Sequence, residues 1–335
     1  MRTRLMRIAR PAAKVRSLLR NLVAYALAIA IIWWLARDLS GVDLVRALRR
    51  ANLWIFIPAC ALSVACWLIG ETFLYARLFS YFHGRTTFRE MLPINAVQEF
   101  LQSINSVAAG SALVLFVHRR KGAPWLTAGC TLLFQAFIDF QVIAWLALAG
   151  ALIVPAALFG MPWYFPGLAL TTVGLIVWFW KRGLPRTQVL RWLYESPSMS
   201  AFRAAHLTHY LHLMLIRLPI FLAQAIVLYF ELIAFGLHVS LGYLVAFVPA
   251  LILLGTLPIA PAGLGPRQAI IVLGLSAFGS RADLLALSLG HSVISLLLRL
   301  PLGLFLWPFM REISDLYDVN PPPGTGPSAA IASAS

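Results

Sequence analysis

Thr256 to Gly279 reads TLPIAPAGLGPRQAIIVLGLSAFG, and this stretch decides the fold. It lies among the most apolar residues of the chain yet breaks most rules for a membrane helix. Pro258, Pro261 and Pro266 each lack a backbone donor, and Gly255, Gly263 and Gly265 loosen the backbone around them. Arg267 and Gln268 follow at once. In hydrocarbon, irregular backbone survives only where protein buries it or where it lines a wet cavity. The stretch therefore predicts a turn or re-entrant segment at membrane depth, opening into a helix near Pro266, where proline suits the first turn. Free N–H groups at such a start, with Arg267 beside them, suit an anionic group such as a lipid phosphate. A kinked, tightly packed helix with no ligand is the competing reading.

Composition sets the setting. The chain has 335 residues, 61% of them hydrophobic and only 12% charged, with a mean hydropathy of +0.83. These values predict an all-α, polytopic membrane protein. No hydrophilic stretch is long enough for a separate soluble catalytic domain. The net charge of +15 sits in short loops beside apolar spans, as the positive-inside rule and an anionic inner leaflet require, and argues against nucleic acid as partner. Cys60, Cys66 and Cys130 lie inside apolar spans and read as small core residues, with no disulfide or metal framework.

About seven or eight apolar segments follow in order. A basic arm over 1–17 precedes an uncleaved first helix, Leu18 to Ala36, and places the N-terminus in the cytoplasm of a bacterial inner membrane. Arg37 to Asn52 has an amphipathic pattern and reads as lying on the membrane surface. Leu53 to Phe82 is a long span, about 45 Å at helical rise, so it tilts or protrudes. Met91 to Val117 is too polar to face lipid, and a cationic cluster, His118 to Lys121, follows it. A re-entrant hairpin broken at Ala108-Ala109-Gly110 keeps both its flanks inside. Trp125 to Phe159 is the next span, Pro155 to Pro166 an external loop, Trp163 to Trp180 a return span, and Pro185 to Tyr194 an interfacial helix. Leu207 to Gly236, Leu241 to Leu257 and Leu284 to Met310 complete the membrane domain, 18–310. The tail, 311–335, is polar and read as largely disordered.

The two odd segments echo each other. Ala108-Ala109-Gly110, Gly122 and the helix from Trp125 match Pro261-Ala262-Gly263, Gly279 and the helix from Leu284 in layout. Paired broken segments in two halves are a pointer to a substrate site in transporter folds.

The run from Pro258 to Gln268, with Gly279 and a helix reaching Arg299, resembles the P-x-P-G-G-x-G-x-R-E-A signature of the lysylphosphatidylglycerol synthetase transmembrane-domain family, also described as flippase-like. Gln268 stands where that signature has an acid, Ala262 where it has a glycine, and Ser111 where the first half usually carries an acid. The resemblance implies lipid handling. The aminoacyl-transfer domain of fused members is absent, so aminoacyl-lipid synthesis does not carry over.

Seven charges fall inside predicted spans: Glu71, Glu99, Asp139, Arg217, Glu231, Arg267 and Arg299. Each costs about 2.5–3.5 kcal/mol if left alone at the membrane centre, so they must pair, neutralise or face a hydrated groove. Arg267 and Arg299 suit a phosphate, since guanidinium matches it bidentately. The acids suit a cationic or sugar headgroup, or protons. With Gln268, Gly263, Gly265 and Asn105 these seven make the candidate headgroup site. His206, His209 and His212 recur every three residues, but interface position explains them without a metal. His291 reads as a hydrogen-bonded bundle residue. No nucleotide loop, H-E-x-x-H or G-x-S-x-G occurs. No cofactor is expected, and a non-catalytic role is favoured. The leading expectation is translocation of an anionic phospholipid or lipid-linked headgroup. A membrane enzyme, or a membrane subunit serving a partner enzyme, is the second. A scaffold is the third, and would not need seven intramembrane charges.

Overall fold

The computed structural model describes residues 26–37, 39–104, 106–153, 195–255 and 264–318. Among these every regular element is a helix. The expected loop, return span and interfacial helix over 154–194 lie outside them, as do the basic arm, Asn105, residues 256–263 and the tail beyond Asp318.

The helices are α1 (Ala26–Ala36), α2 (Gly41–Arg50), α3 (Leu53–His83), α4 (Phe88–Ile104), α5 (Ser106–Lys121), α6 (Trp125–Ile153), α7 (Ser200–Ala204), α8 (Leu207–Ala234), α9 (Leu241–Gly255), α10 (Pro266–Gly274) and α11 (Arg281–Asp318). Four of them, α3, α6, α8 and α11, are long and apolar enough to cross a roughly 30 Å hydrocarbon layer. The protein is thus a multi-pass helical membrane protein. The amphipathic stretch before α3 is helical over Gly41–Arg50. Ser40 caps α2 by accepting from the Asp43 N–H while Asp43 reaches back to the Ser40 N–H. Val42, Val45 and Leu48 stay exposed on α2, an apolar face suited to a membrane surface.

The first odd segment is a hairpin. Helices α4 and α5 pack along each other, which a continuous helix could not do. Its two ends meet: Lys121 Nζ donates to the Arg85 carbonyl at 2.6 Å. The break is not where glycine suggested it. Helix α5 runs straight through Gly110, while α4 ends at Ile104 and α5 begins at Ser106. The last helix also differs from expectation, running past Met310 to Asp318.

The same order occurs twice: a long helix, two shorter helices separated by a break, a turn, a long helix. Leu53 and Leu207 open the first helices of each copy, Phe88 and Leu241 the second, Trp125 and Arg281 the last. The copies are offset by about 153 to 156 residues. Contacts exchange accordingly. Helix α3 packs on α8, α4 packs on α11, and α9 packs on α6. The α3–α8 pair is antiparallel, since Cys60 meets Glu231, Ser63 meets Gln224, Glu71 meets Arg217 and Tyr81 meets His209. Equivalent helices that run antiparallel are the mark of an inverted repeat.

Close approach depends on small residues. A Cβ on Gly150 would lie 2.4 Å from the Ala246 Cα, and one on Gly303 would lie 2.1 Å from the Phe100 Cβ. These glycines seat α6 on α9 and α11 on α4, the two exchanged contacts. Two apolar clusters fill the interior, one around Phe79, Phe116 and Phe134, the other around Phe56, Phe247 and Leu284.

Candidate functional site: charges between the two halves

The charged residues predicted inside spans fall into three groups. In the first, Arg217 on α8 is clamped. Its Nη1 donates to Glu71 Oε1 at 3.1 Å and its Nη2 to Asp139 Oδ2 at 2.9 Å. Trp67 and Phe221, stacked on each other, flank the guanidinium with ring centroids 5.0 and 4.6 Å from its carbon. Gln135 Nε2 adds a bond to Asp139 at 2.6 Å. A cation so enclosed is a fastener between α3, α6 and α8. Its Nε also lies 2.6 Å from Asp139 Oδ1, so its charge is held by two carboxylates rather than turned to a cavity.

In the second group, Glu99 on α4 lies 3.3 Å from Arg299 Nε on α11. In the third, His291 Nδ1 on α11 lies 2.5 Å from Glu231 Oε1 on α8, and both residues are buried. Cys60 Sγ on α3 completes this group, 3.7 Å from Glu231 Oε1 and 3.9 Å from His291 Nδ1. The core reading of Cys60 is thus incomplete: it is buried, but against polar partners. The three ligand-type atoms lie within 4.8 Å of one another. Arg267 acts on Glu231, His291 and Cys60 electrostatically, and a guanidinium beside the trio opposes a metal cation there.

Arg267 has no ion-pair partner among the described residues, and its Nε is buried without a hydrogen bond. Glu231 Oε2 and Ser295 Oγ are buried and make no hydrogen bond either, while Arg299 Nε has only its 3.3 Å ion-pair contact with Glu99. These groups converge. A cavity of about 160 Å³ is lined by Arg267, His291, Ser292, Ser295 and Arg299 together with Leu264, Leu289, Val293 and Leu296. One water needs only about 10–15 Å³ by the same measure, so the cavity has room for a much larger group. Its combination of two arginines with an apolar wall suits an anionic group attached to hydrocarbon.

Gln268 and Gly265 serve this site indirectly. Gly265 has φ of +91°, a region open to glycine, and it turns the chain into α10. Gln268 Oε1 accepts from the Gly265 N–H at 2.6 Å, and its Nε2 donates to Ser292 Oγ at 3.0 Å. The side chain is fully buried and both ends of its amide are used, so Gln268 holds the turn against α11. Gly263 and Asn105 lie outside the described residues. The three histidines at the start of α8 pack against aromatics: Tyr81 stacks on His209 and its hydroxyl meets His212.

Sequence reasoning missed Ser292 and Ser295 and gave His291 a merely structural role. The signal was present. His291, Ser295 and Arg299 are spaced by four, and Ser292 lies on the adjoining row, so all share one face of α11.

No match to this chain was found among the curated proteins. A family model does match it, over residues 21–303, which takes in both halves of the repeat, every charge described above and the cavity. Its description is the lysylphosphatidylglycerol synthase TM region. By this match the chain belongs to the lysylphosphatidylglycerol synthase TM region family.

Proposed function

We propose that this protein binds an anionic phospholipid or lipid-linked headgroup in the Arg267–Arg299 cavity and carries it across the bacterial inner membrane. The family links the chain to membrane lipid modification or transport. The observation that carries the finer reading is Arg267, a guanidinium at membrane depth with no carboxylate bonded to it among the described residues, facing a cavity with Arg299. A guanidinium whose donors are not taken up by a carboxylate is open to an anion that enters the cavity. The inverted repeat supplies a route, since rocking of one half against the other would open the groove to each side in turn. The basic arm favours a cytoplasmic N-terminus.

Native mass spectrometry of the detergent-purified protein, wild type against Arg267→Ala, tests the site. A retained anionic lipid class that disappears in the variant is the expected result. The same unselective lipid mixture on both proteins would remove the reading. A vesicle assay following fluorescent phosphatidylglycerol between leaflets then tests movement.

A further inference from the structure

His291 stands between the cavity and Glu231. Its 2.5 Å contact with Glu231 Oε1 places a proton on Nδ1, because a carboxylate can only accept. That leaves Nε2 able to take a second proton and make the ring a cation. The charged and titratable groups facing His291 come from every helix around it. They are Cys60 on α3, Glu231 on α8, Arg267 on α10, and Arg299 on its own helix with Glu99 of α4 behind it.

Charge balance then decides the chemistry. Glu99 and Arg299 cancel. With a neutral ring at His291, Glu231 and Arg267 also cancel, and the empty site is neutral. An anion in the cavity leaves one uncompensated negative charge in a buried place, which is costly. A proton on His291 restores neutrality and lets His291 hold Glu231 while Arg267 turns to the anion. We infer that binding of an anion in this cavity is coupled to uptake of one proton at His291. The inference rests on the anion-site reading above. It adds an energy source: a proton gradient can drive the anion, since the site prefers to be loaded with both or with neither. The proton comes from water on whichever side the cavity opens and leaves with the anion on the other.

The full-length protein in detergent micelles, titrated calorimetrically with dioctanoyl-phosphatidylglycerol at pH 6, 7 and 8, tests this. Running each titration in two buffers of different ionisation enthalpy counts protons. The expected result is uptake approaching one proton per lipid, with affinity falling as pH rises by up to about tenfold per unit. His291→Asn retains an amide donor for Glu231 but cannot ionise, so its binding should be flat with pH and free of proton uptake. Arg267-dependent binding with no proton uptake in the wild type overturns the coupling and leaves the lipid site standing. Uptake that persists in His291→Asn overturns the assignment to His291. No saturable binding, or binding indifferent to Arg267→Ala, overturns both. Inorganic phosphate binding as tightly as the lipid, with proton uptake, would keep the coupling and overturn the lipid. The wild-type proton count stands whether or not the variant folds.

Discussion

Arg217 and Arg267 carry the same side chain and do opposite work, because their surroundings differ. Arg217 meets two carboxylates and two aromatic faces. Arg267 meets a cavity. Removing Arg217 leaves Glu71 and Asp139 facing each other in a dry place, so Arg217→Met should destabilise the fold by about 3–5 kcal/mol. Thermal unfolding in detergent measures this, and Arg217→Lys should recover only part, since an ammonium cannot span both carboxylates as the planar fork does. Arg267→Met should lower the unfolding midpoint less than Arg217→Met does, because Arg267 is bonded to no carboxylate among the described residues, although Glu231 loses the charge that balances it. All seven charges were legible in the sequence as costly. Which were fasteners and which faced the cavity was not, since pairing depends on residues as far apart as Glu71 and Arg217. The tie that Gln268 makes between Gly265 and Ser292 was not legible for the same reason.

At the scale of elements, helix starts were the readable part. Asn52 accepts from the Trp54 N–H at the head of α3, and Pro266 opens α10, as local chemistry dictates. Helix α4 has a comparable start, where the Thr87 N–H and hydroxyl bond Glu90 and Thr87 Oγ1 accepts from the Glu90 N–H. Thr87→Ala should lower stability by about 0.5–2 kcal/mol, read from the same unfolding midpoint. Bonding from the Thr87 backbone and side chain holds the Glu90 carboxyl below its ordinary range. The contribution of Glu90 is therefore present at neutral pH and lost as pH falls through that lowered value. An acid titration comparing wild type with Glu90→Gln should show the two converge there. The break was misplaced to Gly110, inside α5, because glycine only weakens a helix and its neighbours can carry it through. Where Gly150 and Gly303 would seat the helices was not legible, since both look like any glycine in an apolar run. Gly150→Val should push Ala246 away and loosen α6 from α9, costing about 1–3 kcal/mol, and Gly303→Val should do the same between α11 and α4.

Over the whole molecule, the described ion pairs at membrane depth that involve arginine all cross from one half to the other. Glu71, Glu99 and Asp139 belong to the first copy, and Arg217 and Arg299 to the second. The doubled layout was legible as an echo of breaks and turns. Its inverted sense was not, since it shows only when Cys60 meets Glu231 and Tyr81 meets His209. Because the pairs bridge the halves, reversing one should be tolerated better than breaking it. Glu99→Arg and Arg299→Glu should each lower the unfolding midpoint, and the double variant should regain a substantial part. The division of charge also bears on how the protein is made. Synthesis runs from the N-terminus, so a ribosome delivers Glu71, Glu99 and Asp139 to the bilayer before either arginine exists. The nascent first half must hold its carboxyls protonated, or wait in a wet protein environment of the insertion machinery, until α8 and α11 arrive. Assembly is therefore ordered in time, with the membrane committed to three acids whose bases are still untranslated.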